Sequence, residues 1–208
     1  MLKIWGRNTS SNVQKVMWAV GELKLAHERI DIGGPFGKNR ESAYLAMNPN
    51  GLVPTLEEED GFLLWESNTV TRYLAAKHGA GALEPADPRA RALASQWMDW
   101  QLSVLGPAIS PVFWGLVRTP PEKRDHAAID AGKAKTTEAM RILDAQLGRT
   151  RFVAGDGFSM GDIPVGVMTF RYMRLVPEKP ALPNLERWYA ALETREAFRT
   201  HVSGIPLV

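Results

Sequence analysis

The stretch from Asn48 to Asn68 limits what this 208-residue chain can fold into more than any other. Two short apolar runs, residues 53–56 and 62–65, flank Asp60-Gly61, a dipeptide that supplies positive φ at a tight turn. The pattern predicts a β-hairpin. Pro54 at the head of the first strand removes a ladder donor, and a cis Val53-Pro54 bond suits a tight turn there. Such a bond would aim the N–H and C=O of Val53 outward, free to grip another backbone. After the second strand Glu66-Ser67 opens a run with Val70, Tyr73, Leu74 and Lys77 at helical spacing. A free peptide edge beside a helix N-terminus makes a site for a small anionic peptide.

The residues before this segment complete a small α/β unit. Residues 2–6 read as a short buried strand. The polar turn from Arg7 to Asn12 is rich in capping residues, and Val13, Val16, Met17, Val20 and Leu23 follow at helical spacing. Residues 27–32 alternate into a second strand, and a helix between two strands implies a parallel crossover. A glycine-rich loop at 33–37 and a short helix over 40–47 lead into the hairpin and a helix over 66–78. The order β-α-β, helix, β-β-α is thioredoxin-like.

Residues 79–88 are small and proline-rich, a linker. The expected organisation is therefore 1–78 as a thioredoxin-like domain, 79–88 as linker and 89–208 as an all-helical domain. Leu93, Trp97, Trp100 and Val104 predict one apolar face of a long helix, kinked by Pro107 and Pro111. Thr119 is placed as the N-cap of the next helix, which turns Ile129, Thr136, Met140, Leu143 and Leu147 inward. Ser159 and Asp162 fit a capping box, with Phe158 stapled on Ile163. The nearly unbroken apolar run over 163–176 predicts a helix buried on most sides, and a late helix starts at Pro183.

Composition excludes several functions. Net charge is +2 and no Lys/Arg block exceeds two residues, which argues against nucleic acid. There is no Cys, hence no disulfide and no protein thiol nucleophile. The four His residues lack ligand spacing, so no metal is expected. Residues 1–5 lead straight into strand pattern without a leader, and no run of about 18 apolar residues follows. A soluble cytoplasmic protein with no membrane contact is the expectation.

The order Asn-Pro-Asn-Gly-Leu-Val-Pro-Thr-Leu over 48–56, with Glu66-Ser67 after it, resembles the glutathione S-transferases, and the resemblance runs through the whole chain to the Asp162 capping box and the late helix. It implies a bacterial, theta-like, serine-type enzyme with glutathione as co-substrate, forming a homodimer, in detoxification by conjugation or dehalogenation. By resemblance, Val53 and the adjoining Pro54 hold the cysteinyl unit, and Glu66 and Ser67 hold the γ-glutamyl group. Many relatives place Lys, Arg or Gln two residues before the proline to meet the glycyl carboxylate; here Leu52 stands there, leaving Lys38 or Asn39.

Thiol activation needs little machinery. A thiol of pKa about 8.5 is mostly protonated at neutral pH. One hydroxyl bonded to the sulfur, worth roughly 1.5–3 kcal/mol, lowers that pKa by about one to two units, and the positive end of a helix adds to it. Resemblance puts Ser10 in this role, with Ser11 and Thr9 as alternatives and Asn12 where some bacterial members direct an asparagine at the sulfur. Phe113, Trp114, Arg118 and Tyr172 are expected around the electrophile, Arg118 being suited to an anionic substrate such as a haloacid. A zeta-like isomerase, a glutathione-dependent disulfide reductase and a non-catalytic binding module are the alternatives. The isomerase pattern continues Ser-Ser-Cys where this chain has Ser10-Ser11-Asn12.

Overall fold

The computed structural model describes all 208 residues. Its first part contains β1 (Leu2–Trp5), α1 (Ser11–Glu22), β2 (His27–Ile30), α2 (Ser42–Met47), β3 (Thr55–Glu57), β4 (Leu63–Trp65) and α3 (Ser67–His78). The sheet order is β2-β1-β3-β4, with β1 parallel to β2 and the remaining pairs antiparallel. This is the expected thioredoxin-like arrangement, followed by helices. The hairpin turns at Gly61 (φ 85°), where Asp60 Oδ1 accepts from the Phe62 N–H at 3.0 Å. Val53-Pro54 is cis.

Every residue from Val13 to Val20 is buried. A helix covered only by the sheet would bury one face; α1 has the helical part packed on its other side. There Trp18 lies 4.7 Å from Phe198 and 5.6 Å from Phe158, centroid to centroid. Glu22 receives Arg195 Nε and Nη2 at 2.7 and 2.6 Å. Phe158 sits on Trp18 and, at 5.9 Å, on Phe152, packed against the buried cluster that includes Ile163.

The helical part begins with α4 (Pro88–Trp100), capped by Asp87, whose Oδ2 accepts from Ala90 N at 2.8 Å. It continues through a wide π-type turn, Gln101–Leu105, into α5 (Gly106–Phe113) and a second such turn, Trp114–Arg118. The result is one 31-residue rod, Pro88–Arg118, long and apolar enough by composition to cross a membrane. Pro107 and Pro111 both lie in α5, between the two wide turns, where each removes an N–H from the helical ladder. Leu93 and Val104, expected inward, are 48% and 41% exposed. The inward side is Ala94, Trp97, Met98, Leu105, Ile109 and Val112. Ala94 faces in because Gly161 approaches so closely that a Cβ there would lie 2.8 Å from the Ala94 carbonyl oxygen; Val104 is displaced by the extra residue of the wide turn.

Thr119 does not cap the next helix. Its hydroxyl donates to Trp114 O at 3.0 Å, closing the rod, and a short 3-10 turn, Pro121–Lys123, delays the helix start. Asp125 is the cap of α6 (His126–Leu147), accepting from Ala128 N at 2.9 Å. Its expected inward residues are all buried. Then come α7 (Asp162–Leu175), α8 (Pro183–Glu193), α9 (Glu196–Phe198) and a last wide turn, Arg199–Ser203. Residues Asp162 to Phe170 of α7 are buried without interruption.

Candidate active site

A cleft of about 530 Å³ opens between the two parts of the molecule, within the range of small-ligand sites. One wall is the β1–α1 turn, with Arg7, Thr9, Ser10, Ser11 and Asn12. The second is the loop before the cis proline, with Asn39, Gly51, Leu52 and Val53. The third comes from the helices: Ser110, Phe113, Trp114, Arg118 and Arg171.

Side chains of α2 hold the second wall in shape. Tyr44 Oη and Asn48 Nδ2 donate to Leu52 O at 2.7 and 2.9 Å, and Asn39 Nδ2 donates to Gly51 O at 2.7 Å. The loop carbonyls before Val53 are thereby satisfied. The N–H and C=O of Val53 itself make no backbone bond within the chain, as the hairpin reading anticipated. Leu52 is 59% exposed on the cleft rim.

The start of α1, at Ser10, Ser11 and Asn12, lines this space, and the start of α3, at Glu66 and Ser67, lies outside its lining. Ser10 precedes α1 with extended backbone (φ −80°, ψ 122°), and its hydroxyl makes no capping bond. Beside it, Glu66 precedes α3 at φ 70°, a left-handed conformation rare for a residue with a Cβ. Ser67 Oγ donates to Asn12 Oδ1 at 3.3 Å, so the two helix starts touch. The unpaired N–H groups in the first turn of each helix and the dipole behind them favour an anion.

Not every expected residue joins. Lys38, exposed at φ 64°, lies outside the cleft lining, as do Pro54, Glu66 and Ser67, and the amide nitrogen of Asn39, which does line it, is bonded to the loop. Tyr172 belongs to the core. It is fully buried, with its hydroxyl 3.3 Å from Thr137 Oγ1, because α7 turns that face away from the cleft and presents Arg171 instead. Phe113, Trp114 and Arg118 do line the cleft.

Conversely, Arg7, Lys15 and Arg171 were not singled out from the sequence. Arg171 Cζ sits 3.8 Å above the Phe113 ring and Arg118 Cζ 5.7 Å from it. Burial, with Arg118 adding to it, pushes Arg171 down to about 10 and lowers Arg7 as well. Lys15 is buried behind the wall, its Nζ donating to Gln101 Oε1 at 2.8 Å. The signals were present: Arg171 interrupts the apolar run over 163–176, and Lys15 lies among Val13, Val16 and Met17.

Two family descriptions match the chain, the glutathione S-transferase N-terminal domain over residues 9–77 and the C-terminal domain over residues 127–191. Glutathione S-transferase GstB of Escherichia coli K12 is 44% identical over 200 residues, covering 96% of each chain. The chain belongs to the glutathione S-transferase family. Among solved structures, the theta-class glutathione S-transferase of Xanthomonas axonopodis pv. citri, determined with glutathione bound, superposes with a TM-score of 0.95 at 43% identity, covering 100% of this chain and 99% of that one. Glutathione transferase F7 of Populus trichocarpa gives 0.87 at 26% identity, with 99% and 100% covered. The sheet unit and the Pro88–Arg118 rod with α7 each contribute a wall to this one cleft.

Proposed function

We propose that this transferase binds glutathione along the unpaired Val53 edge and converts its thiol to thiolate for attack on small electrophiles. Val53 N–H and C=O pair with the cysteinyl backbone, Pro54 fixing the turn. Ser67 donates to the γ-glutamyl carboxylate at the start of α3, and Glu66 accepts from the γ-glutamyl ammonium. That places the sulfur by the first wall, where Ser10 Oγ donates to it and the α1 N-terminus adds positive potential. Asn12, tied to Ser67, positions the two helix starts relative to one another. The electrophile rests on Phe113, Trp114 and Arg118.

The observation that carries this reading is the unpaired Val53 peptide in the same cleft as the start of α1, with the Ser10 hydroxyl uncommitted. Glutathione-dependent turnover of small halogenated electrophiles, one neutral and one anionic, tests it. Saturable turnover that falls with Ser10→Ala supports the reading; absence of both turnover and glutathione binding overturns it. We further assign 1–78 and 89–208 as separate domains joined by 79–88, and a homodimer as the working form. The dimer rests on the family likeness, and the rod leaves Leu93, Leu102 and Val104 exposed as apolar surface that a second copy could bury.

A further inference from the structure

We propose that the electrophile taken by this cleft carries a carboxylate, held by Arg7, Arg118 and Arg171. The inference rests on the transferase reading and narrows its substrate class. The three arginines come from three separate parts of the fold, the β1–α1 turn, the end of the Pro88–Arg118 rod and α7, yet all line one cleft. No Asp, Glu, Lys or His lines it with them. None of the three enters any ion pair of the chain. The Nε atoms of Arg7 and Arg171 are buried and have no hydrogen-bond partner.

Such an arrangement is costly without a ligand. Guanidinium donors withdrawn from water and left unpaired cost free energy, and like charges in one cleft repel. A site for neutral apolar electrophiles needs apolar walls and gains nothing from this. A carboxylate offers two acceptor oxygens matched to the planar guanidinium fork. The Phe113 ring sets the geometry, since Arg171 stacks on it at 3.8 Å and Arg118 stands at 5.7 Å. With the carboxylate held among the three arginines, the adjacent carbon lies in the cleft that Ser10 also lines. In a 2-haloacid the thiolate forms a C–S bond to that carbon as the C–halogen bond breaks. The halide departs with the bonding pair, and the carboxylate is unchanged.

The test reads binding without turnover. Isothermal titration calorimetry compares S-carboxymethylglutathione with its neutral near-isostere S-carbamoylmethylglutathione and with glutathione itself. Wild type should bind the carboxylate conjugate about tenfold or more tightly than the neutral one. Arg118→Ala and, separately, Arg7→Ala should bring the two conjugates close to equal while glutathione affinity holds; neither residue is in the apolar core. Equal affinities in wild type, or a preference that both variants keep, overturn the proposal. So does a loss shared equally by glutathione and both conjugates, which would place the arginines on the tripeptide's own carboxylates. Failure of all three compounds to bind overturns the glutathione reading and this inference with it.

Discussion

The ammonium of Lys15 donates to Oε1 of Gln101 at 2.8 Å, joining α1 to the Pro88–Arg118 rod directly behind the cleft. Asn68 extends the contact, with its Nδ2 2.8 Å from Met98 O and 3.4 Å from Gln101 Oε1. The first and last helical layers of the site are thus tied by buried polar groups, and burial pushes Lys15 down to about 7.

That shift gives stability a pH dependence. Between about pH 7 and 10.5 the unfolded chain holds a proton on Lys15 that the folded chain has released, so folding stability rises with pH across this window. Below it, the folded state carries a desolvated ammonium. Urea midpoints for wild type and Lys15→Met at pH 6.5 and pH 9 read this out. The difference should move in favour of wild type at the higher pH; a pH-independent difference contradicts the assignment.

Asp162 is the hub of the helical part. Its carboxylate accepts from Val153 N at 3.0 Å, Ser159 N at 2.9 Å and Trp188 Nε1 at 2.9 Å, all buried. Asp162→Ala would strand three donors, each worth about 1–3 kcal/mol, so a loss of at least about 3 kcal/mol is expected in denaturant unfolding. A change below about 1 kcal/mol would mean water replaces the carboxylate.

Gly166 lets α7 approach α1. A Cβ there would lie 2.8 Å from Trp18 Cη2 and Cζ3, in a region with no slack. Gly166→Ala should cost roughly 1–3 kcal/mol by overpacking, despite the better helix propensity of alanine. A raised melting temperature would show that Trp18 moves aside freely.

Glu66 and Ser67 make a fourth test. Glu66→Gln keeps the size and removes the charge expected to meet the γ-glutamyl ammonium. Loss of a charge-assisted bond, about 1.5–3 kcal/mol, should raise the glutathione Kd by roughly ten- to a hundredfold, with kcat little changed. An unaltered Kd would remove Glu66 from the site.

The sheet unit was legible because its signals are local. Asp60-Gly61, the Val53-Pro54 step and the polar turn before Val13 each specify a backbone shape within a few residues. The capping box at Ser159 and Asp162 was legible for the same reason. The orientation of the long helix was not. Periodicity drawn through Leu93 and Val104 assumes uniform helical turns, and the wide turn at Gln101–Leu105 breaks that assumption. Tyr172 was misplaced because an almost wholly apolar run carries no information about which side faces a cleft. Arg7, Arg118 and Arg171 are brought together only by the packing of distant elements, so no spacing rule could connect them.

Formation of the glutathione thiolate beside Ser10 is the step on which the proposed activity depends. Ultraviolet absorbance of that thiolate titrated against pH, wild type beside Ser10→Ala, reads it directly. The bound pKa should lie well below the ordinary thiol value of about 8.5 and rise by about one to two units in the variant. A bound pKa left near the ordinary value in wild type, or a low one that Ser10→Ala does not move, would contradict that role of Ser10.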